Sequence, residues 1–164
     1  MAIIDSSYFV GEISIPNITG TSPIVTVNLA NLNRLISIYE KDYLTRLLGS
    51  TLYDEFIADL LTSEAWATAL QDELRDATLK LSPIAYYVYY FWLRESATYV
   101  TSGGQQEAKA ENAVSSSPAL RMVEAYNRMV RMTEDVLEYM ADEAFTKSPV
   151  TEYTWLRKIN TFNI

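Results

Sequence analysis

The chain has 164 residues, 49% hydrophobic and 21% charged, the make-up of one globular domain with room for a sizeable core. Its 21 acids against 13 bases leave a net charge of −8, which disfavours tight binding to nucleic-acid phosphates by the chain as a whole. Histidine and cysteine are both absent, and with them go the usual general base near neutral pH, the thiol nucleophile, any disulfide and the common zinc ligands.

In chain order, Met1-Ala2-Ile3-Ile4-Asp5-Ser6 lacks a basic segment leading into an apolar one, so no signal peptide is expected. From Tyr8 to Val27 the chain is punctuated by Gly11, Pro16, Gly20 and Pro23. Glu12-Ile13-Ser14-Ile15 and Ile24-Val25-Thr26-Val27 alternate with strand period, predicting two short extended pieces. Such an arm, residues 1–27, either drapes over the rest of the chain or pairs with a neighbouring copy.

Asn28 is a good N-cap for a helix in which Leu29, Leu32, Leu35, Ile36, Tyr39, Tyr43 and Leu47 share an arc about 120° wide, with Asn33, Arg34, Ser37, Glu40 and Lys41 opposite. Gly49 ends it. Ser50 begins the next, where Leu52, Phe56 and Leu60 recur, so the two form an αα-hairpin. A third helix is expected from Thr62 or Ser63, carrying Trp66, Leu70, Leu74, Ala77 and Leu81 inward. Pro83 then forces a break at Ser82, because proline fits the first helical turn and not the interior.

The run from Ile84 to Leu93 (Ile-Ala-Tyr-Tyr-Val-Tyr-Tyr-Phe-Trp-Leu) is apolar on every side of a helix expected to reach about Tyr99, and too short to span a bilayer. It is the central helix of a bundle, or it keeps one face for another molecule; phenols at such positions suit interfaces. Thr98 to Ser117 is small and polar, a long connection by the standards of compact domains. Ser117-Pro118 starts a last helix with Met122, Val123, Tyr126, Met129, Val130, Val136, Leu137 and Met140 at helical spacing, ending near Phe145. The tail, residues 147–164, has Tyr153, Trp155, Leu156, Ile159, Phe162 and Ile164, too apolar to stay in solvent.

Chemistry is sparse. Glu134, Asp135, Glu138, Asp142 and Glu143 crowd one helix end, but without the glycine-bearing calcium loop or the Glu-x-x-His of di-metal bundles they read as a solvated face, with no metal and no cofactor expected. Glu124 with Arg128 and Arg131 with Asp135 are spaced as surface ion pairs. Arg121, Arg128 and Arg131 share a broad face with acids interleaved, which argues against a phosphate grip. The methionines read as adaptable core filler. No phosphate loop or nucleophile motif occurs.

The order of features resembles a family of head-tail connector (head completion, or adaptor) proteins from tailed phages of Bacteroides-type bacteria, crAss-like phages among them. The residues that carry the likeness are Tyr39 to Gly49 with Leu52-Tyr53, then Tyr86-Tyr87-Val88-Tyr89-Tyr90-Phe91, Val100-Thr101-Ser102-Gly103-Gly104, Lys109-Ala110-Glu111-Asn112-Ala113 and Ala125-Tyr126-Asn127-Arg128-Met129-Val130. The resemblance covers about three quarters of the chain. It implies a non-catalytic virion protein at the head-tail junction, made in the host cytoplasm, whose copies form a homo-oligomeric ring, twelve-fold by the resemblance. That ring docks on the portal protein, meets further tail or connector proteins, and extends the DNA channel without gripping DNA or touching a membrane.

The expectation is therefore an all-α protein, a four- to five-helix bundle over residues 28–146 with a loop at 100–117 and short extended or β-like arms at both ends. The residues expected at subunit or portal contacts are Tyr86, Tyr87, Tyr90, Thr101, Gly103, Gly104, Lys109, Glu111, Asn112, Tyr153, Trp155 and Phe162. The competing reading is a monomeric binding or regulatory module with an aromatic pocket.

Overall fold

Three Ser-Pro dipeptides set the starts of three helices. The computed structural model describes residues 2–96, 98–101, 104–107, 118–142, 145–150 and 152–159. In it α1 (Pro23–Leu48), α4 (Pro83–Ser96) and α5 (Pro118–Ala141) each open on the proline, whose missing N–H costs nothing in a first turn. Ser82 shows the device at its fullest: its hydroxyl accepts the Ile84 N–H at 3.2 Å and donates to the Leu74 carbonyl at 2.7 Å. Between these long helices lie α2 (Ser50–Leu61) and α3 (Ala65–Leu74). Gly49 separates α1 from α2 with φ 81° and ψ 160°, a backbone region open essentially to glycine alone.

The fold is a helical bundle organised around α4, which packs chiefly on α5 and next on α1. That role follows from its lack of a polar stripe: Ile84, Ala85, Tyr86, Tyr87, Val88, Tyr89 and Leu93 are all buried. From α1 the core receives Leu32, Leu35, Ile36, Tyr43, Leu44, Leu47 and Leu48, and from α5 Met129, Val130, Val136 and Met140. Both methionines among these fill interior space. No helix of the described residues is long and apolar enough to cross a membrane.

Several expectations need correction. Ile24 to Val27 form the first turn of α1, not a strand, and Glu12 and Ile13 lie in a 3-10 turn, Gly11–Ile13, preceded by another at Ser6–Tyr8. Pro23 outweighs the short alternation, since its φ is already that of a helix. α3 stops at Leu74, seven residues early, because the Asp76 carboxylate accepts the N–H groups of Thr78 and Leu79 (2.8 and 2.7 Å) and turns the chain. α4 gives way before Thr98 to an antiparallel hairpin, β1 (Thr98–Thr101) with β2 (Gly104–Glu107), in the register Thr98 to Glu107 and Thr101 to Gly104. α5 ends at Ala141, short of Phe145.

The N-terminal arm lies on the bundle. Ile3, Ile4, Tyr8, Phe9, Ile13, Ile15 and Ile18 are buried there, each such side chain contributing about 1.5–3 kcal/mol before the ordering entropy is subtracted. Residues after α5 do likewise: Phe145 is buried against the Trp66 and Tyr139 rings, and in the tail Tyr153, Trp155 and Leu156 are half-buried on the core.

Candidate interaction surfaces

The four tyrosines of α4 have different fates, set by what lies opposite each ring. Tyr86 turns toward the arm and donates its hydroxyl to Glu12. Tyr87 turns toward α1 and donates to Asp42 Oδ2 at 2.6 Å, while Asp42 also takes Arg46 Nε at 2.9 Å. Tyr89 stacks on Trp92, centroids 5.6 Å apart. Burial, reinforced by the carboxylate partner, raises the phenol pKa of Tyr86 to about 12 and pushes that of Tyr87 up as well. Both hydroxyls donate to carboxylates, and both rings are held inside.

Around Tyr87 the rings form a cluster of stacked, tilted and edge-on pairs. Tyr39 and Phe91 stack at 3.9 Å, and Tyr87 stands edge-on to both, at 6.3 and 5.0 Å. Trp155 of the tail closes it from the far side, edge-on to Tyr43 at 5.6 Å and to Tyr87 at 6.1 Å. The Tyr126 hydroxyl donates to the Trp155 carbonyl, and Asn127 exchanges two hydrogen bonds with the Ile159 backbone, 2.7 and 2.8 Å. The tail from Tyr153 to Ile159 is thus fastened to α4 and α5.

Placed against the expected contact residues, this geometry removes Tyr86 and Tyr87 from any outer surface, at 2% and 3% exposure. Their hydroxyls found intramolecular carboxylates on segments that the helix periodicity of α4 could not reveal. Tyr90 is half-buried against Tyr126, and Tyr153 and Trp155 are half-buried against the bundle. Thr101 and Gly104 face each other at the end of the β1–β2 ladder. Gly103, Lys109, Glu111, Asn112 and Phe162 lie outside the described residues.

What the surface does offer was not in the sequence reading. Ile24, Val27 and Ile38 of α1 are 60%, 67% and 48% exposed and fall within about 60° of one another around the helix, an apolar stripe interrupted by Asn31 and Arg34. β1 and β2 form a sheet of two strands, so each presents an outer edge unpaired among the described residues. The expected pairs Glu124 with Arg128 and Arg131 with Asp135 do not close to ion-pair distance; Arg128 faces the Tyr86 hydroxyl instead. No group of three or more potential metal ligands gathers among the described residues. Comparison with protein-family models, with curated proteins and with solved structures finds no match for this chain.

Proposed function

We propose that this chain is a structural virion protein, a head-tail connector whose copies form a ring between portal and tail and prolong the DNA channel. The observation that carries the proposal is the β1–β2 hairpin inserted between α4 and α5. Its strands include Val100, Thr101 and Gly104, which belong to one of the five segments whose order carries the resemblance to phage connectors. An isolated two-stranded ribbon is marginally stable in water, and open strand edges are templates for pairing with another chain. A hairpin completed by a neighbouring copy explains why the chain interrupts an otherwise helical bundle here. The exposed Ile24, Val27 and Ile38 supply a second apolar contact of the kind an assembling subunit needs. A net charge of −8 suits a ring through which DNA slides, by like-charge repulsion.

The contact surface in this reading is the hairpin and the outer face of α1, with Tyr86 and Tyr87 kept for the interior. The test is assembly with purified portal rings, followed by sedimentation and electron imaging. The expected result is a ring of this protein on the portal, lost when residues 98–107 are replaced by a short Gly-Ser link that leaves the helical circular dichroism unchanged. A sharp monomer at high concentration with portal present, and particles lacking the chain, would overturn the proposal in favour of a monomeric binding module.

A further inference from the structure

One cleft of this acidic protein is basic. It lies between the Gly11–Ile13 turn, α4 and α5, with a volume of about 880 Å³, and its lining includes Arg121, Arg128, Arg131 and Lys158 against Glu12 and Glu124. That is within the size range of about 300–1,000 Å³ usual for ligand sites. Lys158 is neutralised by Glu134 at 2.7 Å. Glu12 is occupied by the Tyr86 hydroxyl, which Arg128 also faces. Arg121 and Arg131 make no ion pair with any described residue, so two exposed guanidinium groups stand at the cleft without a carboxylate partner.

We propose that this cleft docks an acidic, extended peptide segment of a partner protein, with one carboxylate on Arg121 and a second on Arg131. Ten residues of helix separate the two arginines by about 15 Å along α5, while acids four residues apart in an extended chain are about 13.5 Å apart on one face. Flexible arginine side chains cover the difference, and each guanidinium can take a carboxylate in two parallel hydrogen bonds. Tyr86 and Tyr89 also line the cleft but are each only 2% exposed, so the two arginines are what hold the peptide.

The carboxylates that remain in the lining decide against a nucleic-acid strand. Glu124 sits between Arg121 and Arg131 in sequence on the same helix, and Glu12 faces them from the arm turn. A phosphodiester strand carries a charge at every nucleotide and cannot avoid both, whereas a peptide can set amide N–H groups or neutral side chains opposite them. The net charge of −8 repels a long polyanion further. The lining among the described residues comes from the arm turn, α4, α5 and the tail, and the inference is argued from these without the hairpin on which ring formation rests.

The experiment is fluorescence anisotropy at low salt with a labelled extended peptide carrying two glutamates four residues apart. A matched glutamine peptide, a single-stranded oligonucleotide and inorganic phosphate serve as competitors. The glutamate peptide is expected to bind and the glutamine peptide not. The R121E/R131E variant should lose roughly tenfold or more in affinity, while K41E/R94E, which changes net charge equally but lies elsewhere, should stay within about twofold. The neutral R121Q/R131Q variant, with an unchanged thermal melt, should reproduce the loss without charge reversal. Undetectable peptide binding, equal binding of the glutamine peptide, or an equal loss in K41E/R94E would overturn the proposal. Tighter binding of the oligonucleotide with the same arginine dependence would overturn it too, making the cleft a nucleic-acid site.

Discussion

The Glu40 carboxylate straddles the amide N–H of Ile3, its two oxygens 3.0 and 2.9 Å away. Oε2 also accepts the Ile4 N–H at 3.1 Å, and the Ile3 carbonyl takes a 2.7 Å bond from Arg75 Nη1. This buried clasp fixes the start of the arm to α1 and sets the path along which Tyr8, Phe9 and Ile13 reach the core. Glu40→Ala should cost about 2–3 kcal/mol, the scale of hydrogen bonds to a charged group whose donors are left buried and unpaired. Urea denaturation gives the loss, and amide exchange should quicken at Ile3 and Ile4 before it does in α4. An unchanged midpoint would mean that apolar side chains alone hold the arm.

The same carboxylate makes stability depend on pH in a direction that can be worked out. Burial raises the Glu40 pKa above its ordinary 4.5, opposed by the Ile3 and Ile4 N–H groups and by the positive charge of Arg75. The folded protein therefore holds the Glu40 proton more tightly than the unfolded chain. Its titration contributes stability that is complete below 4.5 and lost as pH rises through the raised folded value. The stability of the natural chain relative to Glu40→Gln should accordingly increase as pH falls from neutrality toward 4.5. A gap that narrows instead would mean that the N–H bonds outweigh desolvation.

Glu40 also marks the limit of what periodicity reveals. A helical wheel puts it with Arg34 and Lys41 on the solvent side, and its partners lie 37 and 36 residues away in a segment with no regular pattern. The apolar arc of α1, the break at Ser82 and the central place of α4 were legible because each depends on residues within a few turns of one another. The fate of the α4 tyrosines was not. Whether a phenol faces a neighbour or a buried carboxylate depends on Glu12 and Asp42, brought near only by the tertiary fold. The hairpin did leave a local trace, strand-forming Thr98-Tyr99-Val100-Thr101 followed by Gly103-Gly104, which the length of the polar connection obscured.

Tyr87 separates an interior role from a docking role by experiment. With its ring against Tyr39, Tyr43, Phe91 and Trp155 and its hydroxyl on Asp42, Tyr87→Phe should cost about 1 kcal/mol and Tyr87→Ala about 3–5 kcal/mol. Both losses belong to the isolated monomer and are read by denaturant unfolding under conditions where no association occurs. A docking residue would behave in the opposite way: truncation would leave monomer stability within about 0.5 kcal/mol and weaken assembly.

Tyr43 and Thr133 join α1 to α5 through a direct contact between their hydroxyls. The Tyr43 ring is fully buried, and its oxygen lies 2.7 Å from Thr133 Oγ1. Thr133 donates its own proton to the Met129 carbonyl at 2.8 Å, so the proton between the two hydroxyls belongs to Tyr43. Burial pushes the Tyr43 phenol pKa up, which keeps that proton in place. Thr133→Val removes the acceptor and strands a buried donor, at about 1–3 kcal/mol, whereas Tyr43→Phe leaves Thr133 with its carbonyl and should cost about 1 kcal/mol. In the double variant no donor is stranded, so it should be little worse than Tyr43→Phe alone, a coupling of about 1 kcal/mol or more between the two sites. Unfolding free energies of the four proteins measure it. Strict additivity would show that the two helices are held by apolar packing and that the hydroxyl pair contributes nothing of its own.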